Sequence, residues 1–184
     1  MCRSSAVYSL VFVLIVASQS FAQEASKAYP FLKELDVFSG TFEGTTTVPS
    51  GTAKSERLGE LQGKKVTMLL TTRWAPGKCA QVADASYSFE GGETILGTSL
   101  VGWDQKKKQI TYREFTTHKG VWNGVVQRDG SKWVFLIEGY NLDGKKVVQK
   151  HIVKFTDNDH YTLIATSTTD GEPQPEVTWK FKRI

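Results

Sequence analysis

The chain has 184 residues, of which 40% are hydrophobic and 23% charged, and its formal net charge at pH 7 is +4. This length is typical of one domain, and the mild charge excludes a strongly basic nucleic-acid-binding surface. The one lysine run, Lys106 to Lys108, lies in a predicted turn and is interpreted as a solvated hairpin tip.

A secretory signal is predicted over residues 1–22. Arg3 supplies the positive charge, Tyr8 to Ala17 is almost entirely apolar, and Ser20-Phe21-Ala22 places small residues at the −3 and −1 positions of a cleavage site. The apolar stretch is too short for a transmembrane span, and a retained N-terminal anchor is the alternative. Cleavage leaves one domain, 23–184, with a net charge of +3 and a secreted or periplasmic location.

Cysteine and histidine usage argues against a covalent or metal framework. Cys79 is the single cysteine after the predicted signal, so an internal disulfide is excluded. It follows the turn signal Pro76-Gly77-Lys78, and we expect it to be a buried small hydrophobe, with a reactive thiol as the alternative. Three histidines without close spacing give no zinc pattern, and no nucleophile-elbow, P-loop or dinucleotide motif is present. We expect neither a metal nor a cofactor.

Residues 29–38 carry the one helical pattern. Phe31, Leu35 and Phe38 recur at i, i+4 and i+7, which predicts a short helix with one apolar stripe facing the core. Ser39-Gly40 ends it.

Alternation of apolar and polar residues replaces helical periodicity after Gly40. Turns such as Arg128-Asp-Gly-Ser131 separate the segments. The predicted strands are 41–48, a weak one at 54–61, 64–74, 80–89, 94–103, 109–118, 121–127, 132–140, 146–155, 160–168 and 176–183.

About ten strands at nearly regular spacing predict an all-β antiparallel barrel or sandwich. Because the connections are mostly hairpin-length, a meander is the simplest topology. A meander of twisted strands has two exposed edges, and closure into a barrel removes both. We therefore expect a barrel of about ten strands, wide enough for an internal cavity, with one N-terminal helix capping one mouth or packed outside.

Several motifs resemble a known family. The stretch Leu32-x-x-Leu-Asp-Val-Phe-x-Gly-Thr-Phe-x-Gly44 is similar to the entrance of lipocalin-like, calycin-type domains, where a short helical turn runs into a Gly-x-Trp strand. Gly97-Thr-Ser-Leu-Val-Gly-Trp-Asp104, Gly120-Val-Trp-x-Gly124, Asp129-Gly-x-x-Trp133 and Thr178-Trp-Lys-Phe-Lys-Arg183 resemble exported bacterial domains of unknown function, found in planctomycete-type bacteria and sometimes with SnoaL-like domains. The resemblance implies a lipocalin-like barrel over nearly all of the mature chain.

His151 is the leading candidate for a functional residue. Strand alternation places it with Val153 and Phe155 on the predicted interior face, beside Gln149. A neutral imidazole in a cavity can bind a ligand, move a proton or ligate a metal. The alternative is a core histidine that is hydrogen-bonded to a neighbour.

The strand at 109–118 has two possible orientations. We expect the face that carries Tyr112 and Glu114 to point inward, because its residues are the bulkier ones. Glu114 is then a buried carboxylate that needs a partner such as Arg73 or His151, and such a pair can serve as an acid–base element. In the other orientation Glu114 is merely exposed.

We therefore expect an exported barrel that binds a small hydrophobic ligand, without nucleic acid and without a membrane span. The expected ligand-binding residues are Met68, Trp74, Tyr112, Phe155 and Trp179 as the wall, and Arg73, Glu114, Gln149 and His151 as polar anchors. One alternative is an isomerase or cyclase that uses His151 and Glu114 for proton transfer on a hydrophobic substrate. Another is a non-catalytic interaction module with a filled core. The sequence favours binding over catalysis and does not determine the oligomeric state.

Overall fold

The computed structural model describes residues 25–50, 62–92, 94–117, 120–141 and 143–184. Within these ranges ten antiparallel strands close into one barrel, each pairing with its neighbours in sequence and the first pairing with the last. The predicted meander barrel is thus confirmed. The predicted signal at 1–22 and the weak strand at 54–61 lie outside the described residues. The strands are β1 Gly40–Thr47, β2 Lys65–Trp74, β3 Ala80–Phe89, β4 Thr94–Asp104, β5 Gln109–Thr116, β6 Gly120–Asp129, β7 Lys132–Tyr140, β8 Lys146–Phe155, β9 His160–Thr169 and β10 Glu172–Arg183.

The N-terminal segment is a short α-helix, α1 (Tyr29–Leu32), followed directly by a 3-10 helix (Lys33–Phe38). The buried side chains are Leu32, Leu35 and Phe38, which recur every third residue, as the three residues per turn of a 3-10 helix require. The predicted stripe was therefore wrong at Phe31, which is 49% exposed. No helix in the described ranges is long and apolar enough to cross a membrane.

The N-terminal segment covers one mouth of the barrel, which we call the helix end. Phe31 stacks on Trp103 of β4 with ring centroids 4.3 Å apart. Polar contacts fix the rest of the segment to strand ends, namely Gln81 Nε2 to the Leu35 carbonyl at 2.7 Å, Trp74 Nε1 to Asp36 Oδ1 at 2.5 Å, and Arg128 Nη1 to Glu34 Oε2 at 2.5 Å.

Aromatic packing fills the barrel beneath this segment. Phe38 makes edge-to-face contacts with Trp133, Phe155 and Tyr161 at centroid distances of 5.2 to 6.2 Å. Tyr161 in turn stacks on Phe181 at 4.5 Å. Such pairs add about 0.5 to 1.5 kcal/mol each beyond the burial of their area. The helix end therefore holds the main part of the hydrophobic core.

Cys79 is exposed, contrary to expectation. It lies between the short helical turn Pro76–Lys78 and the first residue of β3, so strand alternation does not direct its side chain inward. A turn signal identifies where a strand begins only to within a residue, and one residue reverses the side chain's direction.

Gly44 provides a test of how tightly β1 and β10 pack. A Cβ atom built at Gly44 would lie 2.3 Å from the Phe181 ring, whereas one at Gly102 would meet nothing closer than the Ala80 Cβ at 3.9 Å. We expect Gly44→Ala to lower the free energy of unfolding by about 1 to 3 kcal/mol, as overpacking does. The control Gly102→Ala should change it by less than about 0.5 kcal/mol in the same urea titration. Equal losses in the two variants would contradict this packing.

Candidate ligand-binding interior

Strand register decides the direction of β5. Tyr112 pairs with Val101, and Glu114 pairs with Ser99 on one side and with Trp122 on the other. These three partners are buried, whereas Phe115 is 45% exposed. Tyr112 and Glu114 therefore point into the barrel, as the sequence predicts.

Part of the interior away from the aromatic core is unfilled, beside a second buried cluster of Trp122, Ile137 and Val147. The wall of this unfilled part includes the small inward-facing residues Ala83 and Ala85 on β3 and Ala165 and Ser167 on β9, and all four keep accessible surface. In a filled barrel, inward-facing residues at mid-strand would be buried. Ten strands also enclose more room than the eight whose side chains just fill a barrel. We refer to this space as the hollow.

One polar group on the hollow wall is centred on Glu114. The Tyr112 hydroxyl donates to Glu114 Oε2 at 2.9 Å, and Ser99 lies directly opposite Glu114 in the register. Gly97 makes room for the carboxylate, because a Cβ there would lie 3.2 Å from Glu114 Oε1. Ser99, Tyr112 and Glu114 form the Glu114 cluster.

The tyrosines near this cluster remain protonated. Burial, and then the charge of Glu114, raises the pKa of Tyr112 well above its usual value. The pKa of Tyr87 is raised by the same two causes in the same order. Both phenols are therefore neutral hydrogen-bonding groups across the physiological range.

A second polar group lies on β8 and β9. His151 stands between Phe135 and Ala165 in the register, and Gln149 is directly opposite Ser167. Burial lowers the pKa of His151 to about 4, so the imidazole is neutral at pH 7. We call Gln149, His151 and Ser167 the His151 face.

The side chains of the His151 face make no hydrogen bond to any protein group within the described ranges. Over the same ranges, no fully buried side-chain nitrogen or oxygen lacks a partner. The polar atoms of the three side chains therefore keep accessible surface, and their inward direction places that surface in the hollow. Polar groups held in this way are available to a ligand.

The other expected wall residues all lie in the main hydrophobic core or pack against it. Trp179 is 9% exposed and lies 6.4 Å from the Tyr87 ring, while Met68 is 7% exposed in the core. Phe155 belongs to the aromatic packing under Phe38. Trp74 faces the helix end, where its indole nitrogen donates to Asp36.

Arg73 is not an interior anchor, which corrects the expectation from sequence. It lies on the outer face of β2 with its side chain 59% exposed, and it pairs with Asp84 at 3.3 Å. Its neighbour Thr72 is buried, and successive residues in a strand face opposite sides. The same alternation that places Met68 and Trp74 inside excludes Arg73.

His151 and Glu114 do not form a pair. The pKa of His151 is lowered by burial, with no contribution from a neighbouring charge. Glu114 instead accepts a hydrogen bond from Tyr112, whose ring packs edge-on against Phe135 at 5.9 Å. Phe135 therefore separates the two polar groups along the wall.

Sequence reasoning missed Tyr87, Ser99 and Ser167 as members of the interior. Each lies on an alternating face that could have been followed, since Ala83, Ala85 and Tyr87 share one side of β3. Alternation alone does not say which side is inside when both carry small residues. Their position became clear only from the register of adjacent strands.

Two depressions of about 340 and 490 Å³ lie on the outer wall, and both are open to solvent. The larger is bordered by Arg113, Leu136 and Val148. No group of three His, Cys, Asp or Glu side chains in the described ranges is arranged to hold a metal ion.

Neither a family model nor a curated protein matches the sequence. Among solved structures, the chain is similar to the S-type phycobiliprotein lyase CPES from Guillardia theta, with a TM-score of 0.50 and 11% sequence identity. The match covers 84% of this chain and 92% of that chain. At this identity the similarity shows the fold alone, a lipocalin-like barrel.

Because His151 is buried in its neutral form, we expect the free energy of unfolding to fall at acid pH. In the unfolded chain the imidazole takes up a proton near its ordinary pKa of 6.5, whereas the folded chain resists protonation down to about 4. The unfolded state therefore binds more protons as the pH falls from 6.5 to 4, and the free energy of unfolding decreases over that window. We expect a loss of about 1 to 3 kcal/mol attributable to His151, discounted for its contact with the hollow.

Urea titrations at pH 7.5 and pH 4.5 check this value. The variant His151→Gln should lose less stability between the two pH values than the unchanged protein. The control His160→Gln removes an exposed histidine that pairs with Asp157. This variant should still show the loss of stability at pH 4.5 that we assign to His151. An equal acid-side loss in His151→Gln and the unchanged protein would contradict a buried neutral imidazole.

Proposed function

We propose that this protein binds a small, largely apolar molecule inside the barrel. The observation that carries the proposal is the hollow itself, whose wall combines small residues such as Ala83 and Ala165 with inward polar groups that keep accessible surface. A filled core, as an interaction module would have, leaves no such surface. Binding sites for small molecules are typically apolar cavities with a few convergent polar groups.

The two ends of the barrel support different parts of this function. The helix end is packed by Phe38, Trp133 and Tyr161 and supplies rigidity. The hollow is bounded by Tyr87, whose ring contacts the core residue Trp179, on one side and by the His151 face on another. A rigid base beneath a preformed pocket limits the conformational cost of binding.

Binding is proposed in preference to catalysis because the acid–base pair expected from sequence is not formed. His151 faces the hollow as a neutral group, and Glu114 is bonded to Tyr112 on another part of the wall. Each of these groups can orient a ligand without transferring a proton.

Native mass spectrometry of the full-length protein, purified from the cells that make it, tests the proposal. We expect a co-purified small molecule at about one per chain. Ala165→Phe, which places a ring in the hollow opposite His151, should reduce the bound fraction at least about tenfold, the effect of roughly 1.4 kcal/mol. The control Thr166→Phe, on the exposed face of the same strand, should retain the molecule.

Both variants must first show the urea midpoint and near-ultraviolet dichroism of a folded barrel. A protein that carries no small molecule and takes up none from a lipid extract of the same cells would contradict the proposal. Retention of the molecule by folded Ala165→Phe would place it outside the hollow and would also contradict it.

We also propose that the chain is exported and cleaved after Ala22, on the basis of the charged start, apolar stretch and small residues of 1–22. Intact-mass analysis of extracytoplasmic fractions should find a chain that begins at Gln23. Ala22→Arg places a bulky charge at the −1 position and should nearly abolish the processed form, whereas Gln23→Ser should not. A full-length chain confined to the cytoplasm would contradict export.

A further inference from the structure

We propose that the ligand presents a neutral hydrogen-bonding head group, such as an alcohol or an amide on an apolar body, to Gln149, His151 and Ser167. This inference rests on the proposed function, because it concerns the same hollow. It adds the chemical class of the ligand and the side of the barrel against which its head lies.

The three side chains form one continuous polar patch. Gln149 and His151 are two residues apart on β8 and face the same side, and Ser167 is directly opposite Gln149 on β9. Side chains directly opposite each other on antiparallel strands have Cβ atoms about 4.5 to 5.5 Å apart. A single head group can therefore contact more than one of them.

Apolar residues surround the patch. Ala165 is opposite His151, and its small side chain leaves room above the imidazole. Ile137 is opposite Gln149 on β7, and Phe135 is opposite His151. This arrangement suits a ligand with a small polar head and a larger apolar body, because apolar side chains border the patch on β7 and β9.

The patch matches a head group that both donates and accepts hydrogen bonds. The amide of Gln149 and the hydroxyl of Ser167 each do both, and the neutral imidazole of His151 has one donor and one acceptor nitrogen. None of the three is charged at pH 7. A charged head placed here would lose its hydration without gaining an opposite charge, which is unfavourable in a protein interior.

The arginines nearest the interior are not available to a ligand in the hollow. Arg183 donates to the carbonyls of Ser39 and Val37, and Arg128 pairs with Glu34. Both therefore bind at the helix end, on the far side of the aromatic core. Over the described ranges, no lysine or arginine side chain is placed beside the His151 face to neutralise a carboxylate.

Three fluorescent probes that differ only at the head test this inference: 12-(nitrobenzoxadiazolylamino)dodecan-1-ol, the matching dodecanoic acid and the matching dodecylamine. Each is titrated into the full-length protein at pH 7.4. We expect the alcohol to bind at least about tenfold more tightly than the acid or the amine, since a charged head placed against the patch is desolvated without a partner there, and the Glu114 carboxylate is already bonded to Tyr112.

Single substitutions test whether the head group of the probe contacts the patch. Ser167→Ala and Gln149→Leu should each weaken binding of the alcohol about 3- to 10-fold, the effect of one lost hydrogen bond, and should leave the acid unchanged. Thr166→Ala is the matched control on the outer face of the same strand and should leave all three affinities unchanged. Urea titration establishes that each variant folds.

The outcomes separate this inference from the proposed function. Tighter binding of the acid, or of the amine, would overturn the neutral head, and so would an alcohol preference that survives both patch substitutions. In each of these cases, probe binding that Ala165→Phe blocks still supports a ligand in the hollow. If no probe binds and no molecule co-purifies, the proposed function itself fails.

Discussion

The pairing of the first strand with the last is the constraint on which the rest of the structure depends. Phe42 is opposite Arg183 and Gly44 is opposite Phe181, so residues about 140 positions apart are placed side by side. Phe42 is fully buried, and the Arg183 guanidinium lies 4.3 Å from its ring centroid. Without this closure both strands would be open edges, and the inward faces of β2 to β9 would have no enclosed interior.

Closure also couples the barrel to its N-terminal segment. Arg183, at the end of β10, donates to the carbonyls of Ser39 and Val37 and to that of Asn158 in the β8–β9 turn. One side chain thus joins three parts of the chain at the helix end. The aromatic packing that starts at Phe38 occupies this end, and the hollow lies in part of the remaining interior, beside the buried cluster of Trp122, Ile137 and Val147. The barrel is therefore divided into a rigid base and a space for a ligand.

The fold could be predicted from the sequence because its signals are local. Alternation and hairpin turns defined nine of the ten strands to within a few residues, and β10 begins at Glu172, four residues before the predicted start. The position of the N-terminal segment was predicted correctly, but its buried face was not. The 3-10 winding buries Leu32 in place of Phe31. That difference is small in local energy and is decided by which side chain fits the mouth of the barrel.

By itself the sequence predicted a closed antiparallel barrel with a short N-terminal helix that caps one mouth or packs outside, and it favoured His151, Gln149, Tyr112 and Glu114 as inward residues. Tertiary structure decided which of these groups meet. It paired Glu114 with Tyr112 instead of with His151, and it left Arg73 outside with Asp84. The physical reason is that alternation fixes the side of a strand on which a residue lies, whereas register and closure fix its neighbours across the interior.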